Sequence, residues 1–241
     1  MTQYKAIFFD FDGTLLPMDT DEFLHGYFKQ LVGFLAAKGF EDPKGIADNV
    51  YKGTGAMMSD HPGVTNEVAF WTAFTKLTGL TQEGFEPTML EFYNGPYNNI
   101  GSELEVATKS IEVLDMLSKK GYPLYLTTTP LFPQVGVANR IKWTGIDANI
   151  FQRITTYENS TAAKPSLTYY RENIEIAGVK PEEILMVGND TGDDLSILEL
   201  GCDVYLVTDH LINKNGFDIE TVKHGDMDAF IEFAKSLPDF E

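Results

Sequence analysis

Two textures of apolar and polar residues alternate along the chain, and the change between them divides it. Residues 4–10 (YKAIFFD) form a short apolar run ending in an acid, a pattern compatible with a buried central strand. After a loop carrying Gly13 the period lengthens. Phe23, Leu24, Tyr27, Phe28, Leu31, Val32 and Leu35 recur at steps of three and four, which predicts a helix with one apolar face. Asp19 with Glu22 three residues on resembles a capping box with an acid in place of the usual Ser or Thr. Asp42-Pro43 reads as the N-cap and first position of a second helix. A third helix is predicted over 67–77, with Phe70, Trp71, Phe74 and Leu77 on its face. A fourth covers about 81–93, where Gly95-Pro96 stops it. No strand pattern interrupts 19–94.

Beyond residue 100 helical and strand patterns alternate. A helix over about 103–119 leads to a strand at 123–128 (PLYLTT). A helix over 132–143 leads to a short strand near 151–155. A helix at 166–177 precedes the strand 184–188 (ILMVG), and a helix at 193–200 precedes the strand 203–207 (DVYLV). A last helix spans 226–236. Strands alternating with helices predict a doubly wound, parallel α/β sheet covered on both faces. The helical block is then an all-helical domain inserted after the first strand, with a core of residues 1–16 and 100–241 and an insert of 17–99. In such sheets ligands bind at the carboxyl ends of the strands, near the switch in strand order.

Composition narrows the function. The chain has 241 residues, 43% of them hydrophobic and 22% charged, enough to bury a sizeable core. Its formal charge of −18 argues against nucleic acid or an anionic membrane as the main partner. No apolar run reaches bilayer-spanning length. The opening residues Met1–Lys5 do not read as a signal peptide, so the expected compartment is the cytoplasm. Cys202 stands alone, which excludes an internal disulfide and a cysteine zinc cluster.

Four chemical features fall at predicted strand ends: Asp10-Phe11-Asp12-Gly13-Thr14, Thr127-Thr128-Thr129, Lys164-Pro165, and Gly188-Asn189-Asp190 with Asp193 and Asp194 behind. Each has a plain reading. Asp-Gly is a common turn, Thr runs occur in strands, Lys-Pro often precedes a helix, and acids gather at helix N-termini. Together, in this order, they resemble the haloacid dehalogenase-like superfamily of phosphohydrolases. FFDFDGTL (8–15) matches the first motif, Thr128 ends the strand of the second, Lys164 is the third, and VGND…DD (187–194) the fourth. The insert is similar to the family's helical cap of the first type. LYLTTTPLFP (124–133) is similar to a bacterial branch that usually has Asn where Thr129 stands.

The resemblance implies a Rossmann-like core and a phosphatase acting on a small phosphorylated metabolite. It makes Asp10 the nucleophile that becomes an aspartyl-phosphate. Asp12 becomes the general acid for the leaving oxygen and then the base for water. Thr128 and Thr129 are expected to offer donors to the phosphate, while Gly13 and Thr14 shape the loop that binds it. Two unit like charges 4 Å apart repel by about 4 kcal/mol at an effective dielectric of 20, so an acidic site excludes a phosphate unless a cation is present. The resemblance supplies Mg²⁺, held by Asp10, the carbonyl of Asp12, and Asp190. Pro165 biases Lys164 toward an extended conformation. Asn189 departs from the commonest fourth motif, which has Asp there. Asp194 is expected to orient Lys164, with Asp193 the alternative.

The insert has fewer signals. Lys52-Gly53-Thr54-Gly55 reads either as a mobile specificity loop with Lys52 facing substrate, or as a helix end with a basic last turn and a Gly stop. Met57 and Met58 read as packing, Trp71 and Phe74 as core. His25, His61, His210 and His224 have no metal-ligand spacing. Arg140 reads as a surface or structural residue, with substrate contact the minor alternative. A sugar phosphomutase, a phosphonate hydrolase using an insert lysine as a Schiff base, and a non-catalytic binding protein of the same fold stay open. A phosphorylatable receiver fits poorly, since its acids and acceptor lie on different strands.

Overall fold

The computed structural model describes residues 4–59, 61–102 and 104–240. Met1–Gln3 of the N-terminal reading, and Glu103 at the expected start of the 103–119 helix, lie outside them. Six strands, β1 (Ala6–Phe9), β2 (Leu124–Leu126), β3 (Phe151–Ile154), β4 (Ile184–Gly188), β5 (Asp203–Val207) and β6 (Lys223–Gly225), form one sheet in the order β3-β2-β1-β4-β5-β6. Every neighbouring pair is parallel. Connections run outward from β1 in one direction to β3, then return to β4 and run the other way. The order therefore reverses between β1 and β4, and a crevice opens there beyond the strand ends.

The sheet has two apolar faces because its central strands are apolar at every position while successive side chains point opposite ways. Ile7, Phe9, Leu124, Leu126, Leu185, Val187, Tyr205 and Val207 enter one buried cluster. Ala6, Phe8, Tyr125, Ile184, Met186, Val204 and Leu206 enter the other. The first face is covered by α5 (Thr108–Lys119), α6 (Gln134–Thr144) and α8 (Met227–Ser236), the second by α7 (Leu167–Ala177) and a 3₁₀ run at Asp194–Leu200. The sheet is thus doubly wound, as the alternating pattern predicts.

Between β1 and β2 lie four helices, α1 (Thr20–Ala37), α2 (Pro43–Met58), α3 (Asn66–Thr78) and α4 (Gln82–Asn94). Their starts follow the sequence signals. The Asp19 carboxylate accepts from the amides of Asp21 and Glu22, and that of Asp42 from Gly45, so each meets amide groups that a helix start leaves free. The apolar faces of these helices join the first cluster without a break. Phe23 and Tyr27 of α1 pack on Phe132 with ring centroids 5.6 and 5.5 Å apart.

Three expectations are corrected and one strand is added. Gly53 and Gly55 neither open a loop nor stop a helix, because α2 continues to Met58. Gly53 instead lets α3 lie close, since a Cβ there would sit 2.8 Å from the Phe70 ring. The predicted helix at 193–200 is a 3₁₀ run, pinned at its start by the Asp194 side chain and ended by Gly201 at φ 88°. The helix expected from 103 begins at Thr108. The chain before it is irregular because Leu104 and Ala107 give their amides to Gly101 and Thr144. Strand β6 escapes the sequence reading because three polar residues carry no alternation.

Phe230 of α8 is fully buried and meets Phe9 and Tyr205, at centroid distances of 6.0 and 4.9 Å. Phe230→Ala should destabilise the fold by about 3–5 kcal/mol in urea unfolding. A loss under about 1 kcal/mol would contradict this packing.

Candidate active site

Three elements deliver one buried charge cluster. Asp10 directly follows β1, its amide bonded to Val187 O of β4 at 2.8 Å. Lys164 lies in the loop before α7, with a cis peptide to Pro165. Asp194 opens the 3₁₀ run after β4. The Lys164 ammonium is 1% exposed and donates at 2.6 Å to Asp10 Oδ1 and at 2.6 Å to Asp194 Oδ1. Asp193, the alternative partner for Lys164, makes no such bond.

The fourth motif folds around the Asp194 carboxylate. Its Oδ2 accepts from the amides of Asn189 (2.9 Å) and Asp190 (3.0 Å). This fold-back needs glycine at 188, where a Cβ would fall on the Asp194 carboxyl group. Asn189 is a brace. Its Oδ1 accepts from Thr14 Oγ1 at 3.0 Å and its Nδ2 donates to His210 O at 2.6 Å. Gly13, at φ 79°, keeps the β1 loop clear of Asn189. Thr14 is buried and also donates to Asp10 Oδ2 over a long 3.5 Å. Gly13 and Thr14 therefore pack under the site and shape its loop.

Asp12 has an unexpected partner. Arg140 of α6 is fully buried, and its Nη1 donates to both Asp12 oxygens at 2.6 and 2.5 Å. Its guanidinium carbon lies 4.6 Å from the Phe132 ring centre, 5.4 Å from Phe23 and 5.7 Å from Phe11. The aromatic faces favour the cation. Yet Arg140 Nε and Nη2 are buried without an acceptor among the described residues. Of the two readings of Arg140, surface or structural, burial removes the first. The place of Arg140 on the apolar stripe with Val137, Ile141 and Thr144 is the signal that could have found it.

Asp10, Asp12, Asp190, Asp193 and Asp194 line a single cavity of about 220 Å³ with Thr129. Asp190 Oδ1 accepts from the amides of Gly192 and Asp193 at 2.7 and 3.0 Å. Thr128, expected to present a hydroxyl there, lies behind the wall at 1% exposure. Its carbonyl is pinned by Thr155 Oγ1 and the Tyr169 hydroxyl at 2.6 and 3.0 Å. Lys52 lies apart, exposed on α2 at the edge of a neighbouring cavity. Met58 is 55% exposed and lines both cavities, so it is not packing.

The charges do not balance. Burial first, and then Asp194, push the Asp10 carboxyl up to about 8, against the pull of Lys164. Burial pushes Asp193 up to about 6, with Asp190 and Asp194 adding to it. Burial opposes the charge on Lys164, but Asp10 and Asp194 override it and raise its pKa well above the ordinary value. With Asp10 protonated the ammonium balances Asp194 alone, and ionising Asp10 adds a negative charge that only a further cation offsets. Hard oxygen donors with excess negative charge fit a dication such as Mg²⁺. Among the described residues no three His, Cys, Asp or Glu side chains form a ready ion cage. The carboxylates that line the cavity are hard oxygen donors that suit an ion which also keeps water molecules.

The parallel sheet thus gathers its acids and lysine at the β1/β4 switch. The haloacid dehalogenase-like hydrolase family model matches residues 4–201, and the chain belongs to that family. None of the curated proteins matches it. Among solved structures it is similar to a predicted phosphoglycolate phosphatase from Haemophilus somnus 129PT, at 21% identity and TM-score 0.59, covering 97% of this chain and 99% of that one. It is also similar to a HAD phosphatase from Thermococcus onnurineus (20%, TM-score 0.60, 98% and 100%). A third is a 2-haloacid dehalogenase from Pseudomonas syringae pv. tomato DC3000 (16%, TM-score 0.64, 95% and 97%). At these identities the likeness concerns the fold.

The Asp12–Arg140 pair gives an asymmetric prediction. Asp12→Ala strands a buried guanidinium and should cost about 3 kcal/mol in chemical denaturation, the low end for a broken buried pair. Arg140→Met removes the two unpartnered donors as well, and leaves an Asp12 side chain that is 29% exposed. It should cost less than half as much. Equal losses would contradict the pairing.

Proposed function

We propose that the chain is a divalent-metal-dependent phosphatase that hydrolyses a small phosphomonoester through a phosphorylated Asp10. The arrangement that carries this reading is Asp10, fixed through Oδ1 by Lys164 and facing a cavity it shares with Asp12. Asp10 Oδ2 has only the long Thr14 contact and is free to attack phosphorus in line. The P–O bond to the leaving alcohol breaks as the Asp10–phosphorus bond forms, and Asp12 gives the leaving oxygen its proton. Asp12 then takes a proton from water, which attacks phosphorus and frees Asp10. Arg140 Nη1 meets both Asp12 oxygens, so Asp12 first takes up a proton from solvent, to which its side chain is 29% exposed, and that proton is the one it gives to the leaving oxygen. At least one of the two Asp12 oxygens must leave Arg140 for the proton to move.

Asp10, the carbonyl of Asp12 and Asp190 would hold Mg²⁺, which offsets phosphate charge as a Lewis acid when bound. Asp194 acts through Lys164, and Thr129 is the one of the two expected donors that lines the cavity. Asp12 also weighs against a dehalogenase, since the family's dehalogenases lack an acid there. The fold likeness to a dehalogenase does not alter that residue. The protein is assigned no nucleic-acid or membrane partner. No helix of the described residues is long and apolar enough to cross a membrane.

p-Nitrophenyl phosphate should be turned over with Mg²⁺ and not with EDTA, and restored Mg²⁺ should restore the rate. Turnover indifferent to EDTA would count against the metal. Asp10→Asn should lower the rate by at least about a thousandfold with an unchanged circular dichroism spectrum. Substantial activity in the pure variant refutes the nucleophile. Asp190→Asn should raise the Mg²⁺ concentration for half-activation about tenfold or more, and more than Asp193→Asn does. The reverse order in a metal titration would move the ligand assignment.

A further inference from the structure

Beside the acidic cavity lies a second one of about 410 Å³. Leu24, Met58, Leu131 and Phe132 line both, so the two meet across shared side chains. Their chemistry is opposite. Five carboxylates line the first. The second is enclosed by aromatic and aliphatic side chains of α1–α4, including Phe28, Val50, Phe70 and Trp71, and Lys52 at its edge is its only side chain that is charged at neutral pH. A volume of this size takes roughly a dozen water-sized groups. Its polar groups are scattered singly among apolar walls, chiefly tyrosine hydroxyls, the Thr54 hydroxyl and the Trp71 indole N–H, too few to pair the several hydroxyls of a sugar. Leaving such groups unpaired there costs binding.

We infer that the second cavity receives the alcohol portion of the substrate and that this portion is a hydrocarbon, so the substrate class is the monophosphate of an apolar alcohol or phenol. The inference rests on the phosphatase reading for the placement of the phosphate at Asp10. It adds the identity of the other end of the molecule. The phosphoryl group meets Asp10, which Lys164 holds from behind, and the ester oxygen lies beside Asp12. The carbon chain passes Leu24 and Phe132 into the aromatic enclosure. Affinity then comes from apolar area removed from water, and each methylene contributes about a fourfold gain.

The test uses the whole protein with Mg²⁺ and a series of monoalkyl phosphates from ethyl through butyl to hexyl, beside glucose 6-phosphate and glycerol phosphate. The expected result is a rise in kcat/KM of about fourfold per methylene, with both polyol phosphates below hexyl phosphate. A flat or falling series, or a preference for the polyol esters, overturns the inference and leaves the phosphatase reading standing. Calorimetric binding of ethylphosphonate and hexylphosphonate, which are not hydrolysed, separates the two ideas. Tighter binding of the hexyl compound without hydrolysis of any ester supports the cavity and refutes the phosphatase. Equal binding refutes the cavity. Val50→Phe, which adds volume at a buried wall position on α2, should lower the hexyl-to-ethyl ratio of kcat/KM at least tenfold. An unchanged ratio in the folded variant contradicts the placement of the chain.

Discussion

One buried ammonium shared by two buried carboxylates is the constraint on which the site depends. Lys164, Asp10 and Asp194 come from three separate stretches of chain, and the 2.6 Å bonds between them tie the ends of β1 and β4 to the loop before α7. Taking three charges out of water is expensive and is offset only by close pairing and further hydrogen bonds. Asp194 obtains those bonds from two backbone amides. Asp10 does not, and its carboxyl is held well above the ordinary carboxylate range by burial and by Asp194. That imbalance is the physical reason the site suits a cation.

The local backbone follows from the same cluster. Gly188 is required because the Asp194 side chain folds back over the end of β4. Gly13 is required because Asn189 fills the space beneath the β1 loop. Thr14 and Asn189 then lock the two loops to each other. Gly13 and Thr14 are, in the folded chain, the mounting of the residues that face the cavity. Arg140 does the same for Asp12 from α6, so both acids of the β1 loop are held by buried cations from elsewhere in the chain.

The sheet and its order of helices were legible because the central strands are apolar at every position and end in chemical residues. Strands 184–188 and 203–207 match residue for residue, whereas β6 carries no pattern. The chemistry-bearing positions were legible as a spaced set of motifs. What was not legible depends on contacts between distant segments. Gly53 reads as a helix stop until Phe70 is seen lying against it. Arg140 reads as an ordinary helix residue until its stripe is seen to face Asp12. Thr128 and Thr129 are adjacent in sequence, and only the packing of Thr155 and Tyr169 under the first decides which one faces the cavity.

The central claim is that the carboxylate after β1 bonds covalently to phosphorus while Lys164 holds it. Acid quenching during turnover of a phosphomonoester, followed by peptide mass spectrometry, tests this most directly. The account predicts a phosphoryl group on the peptide that carries Asp10, with fragmentation placing it on Asp10. Turnover that leaves Asp10 unmodified, with phosphoryl found on another side chain or on none, would contradict it.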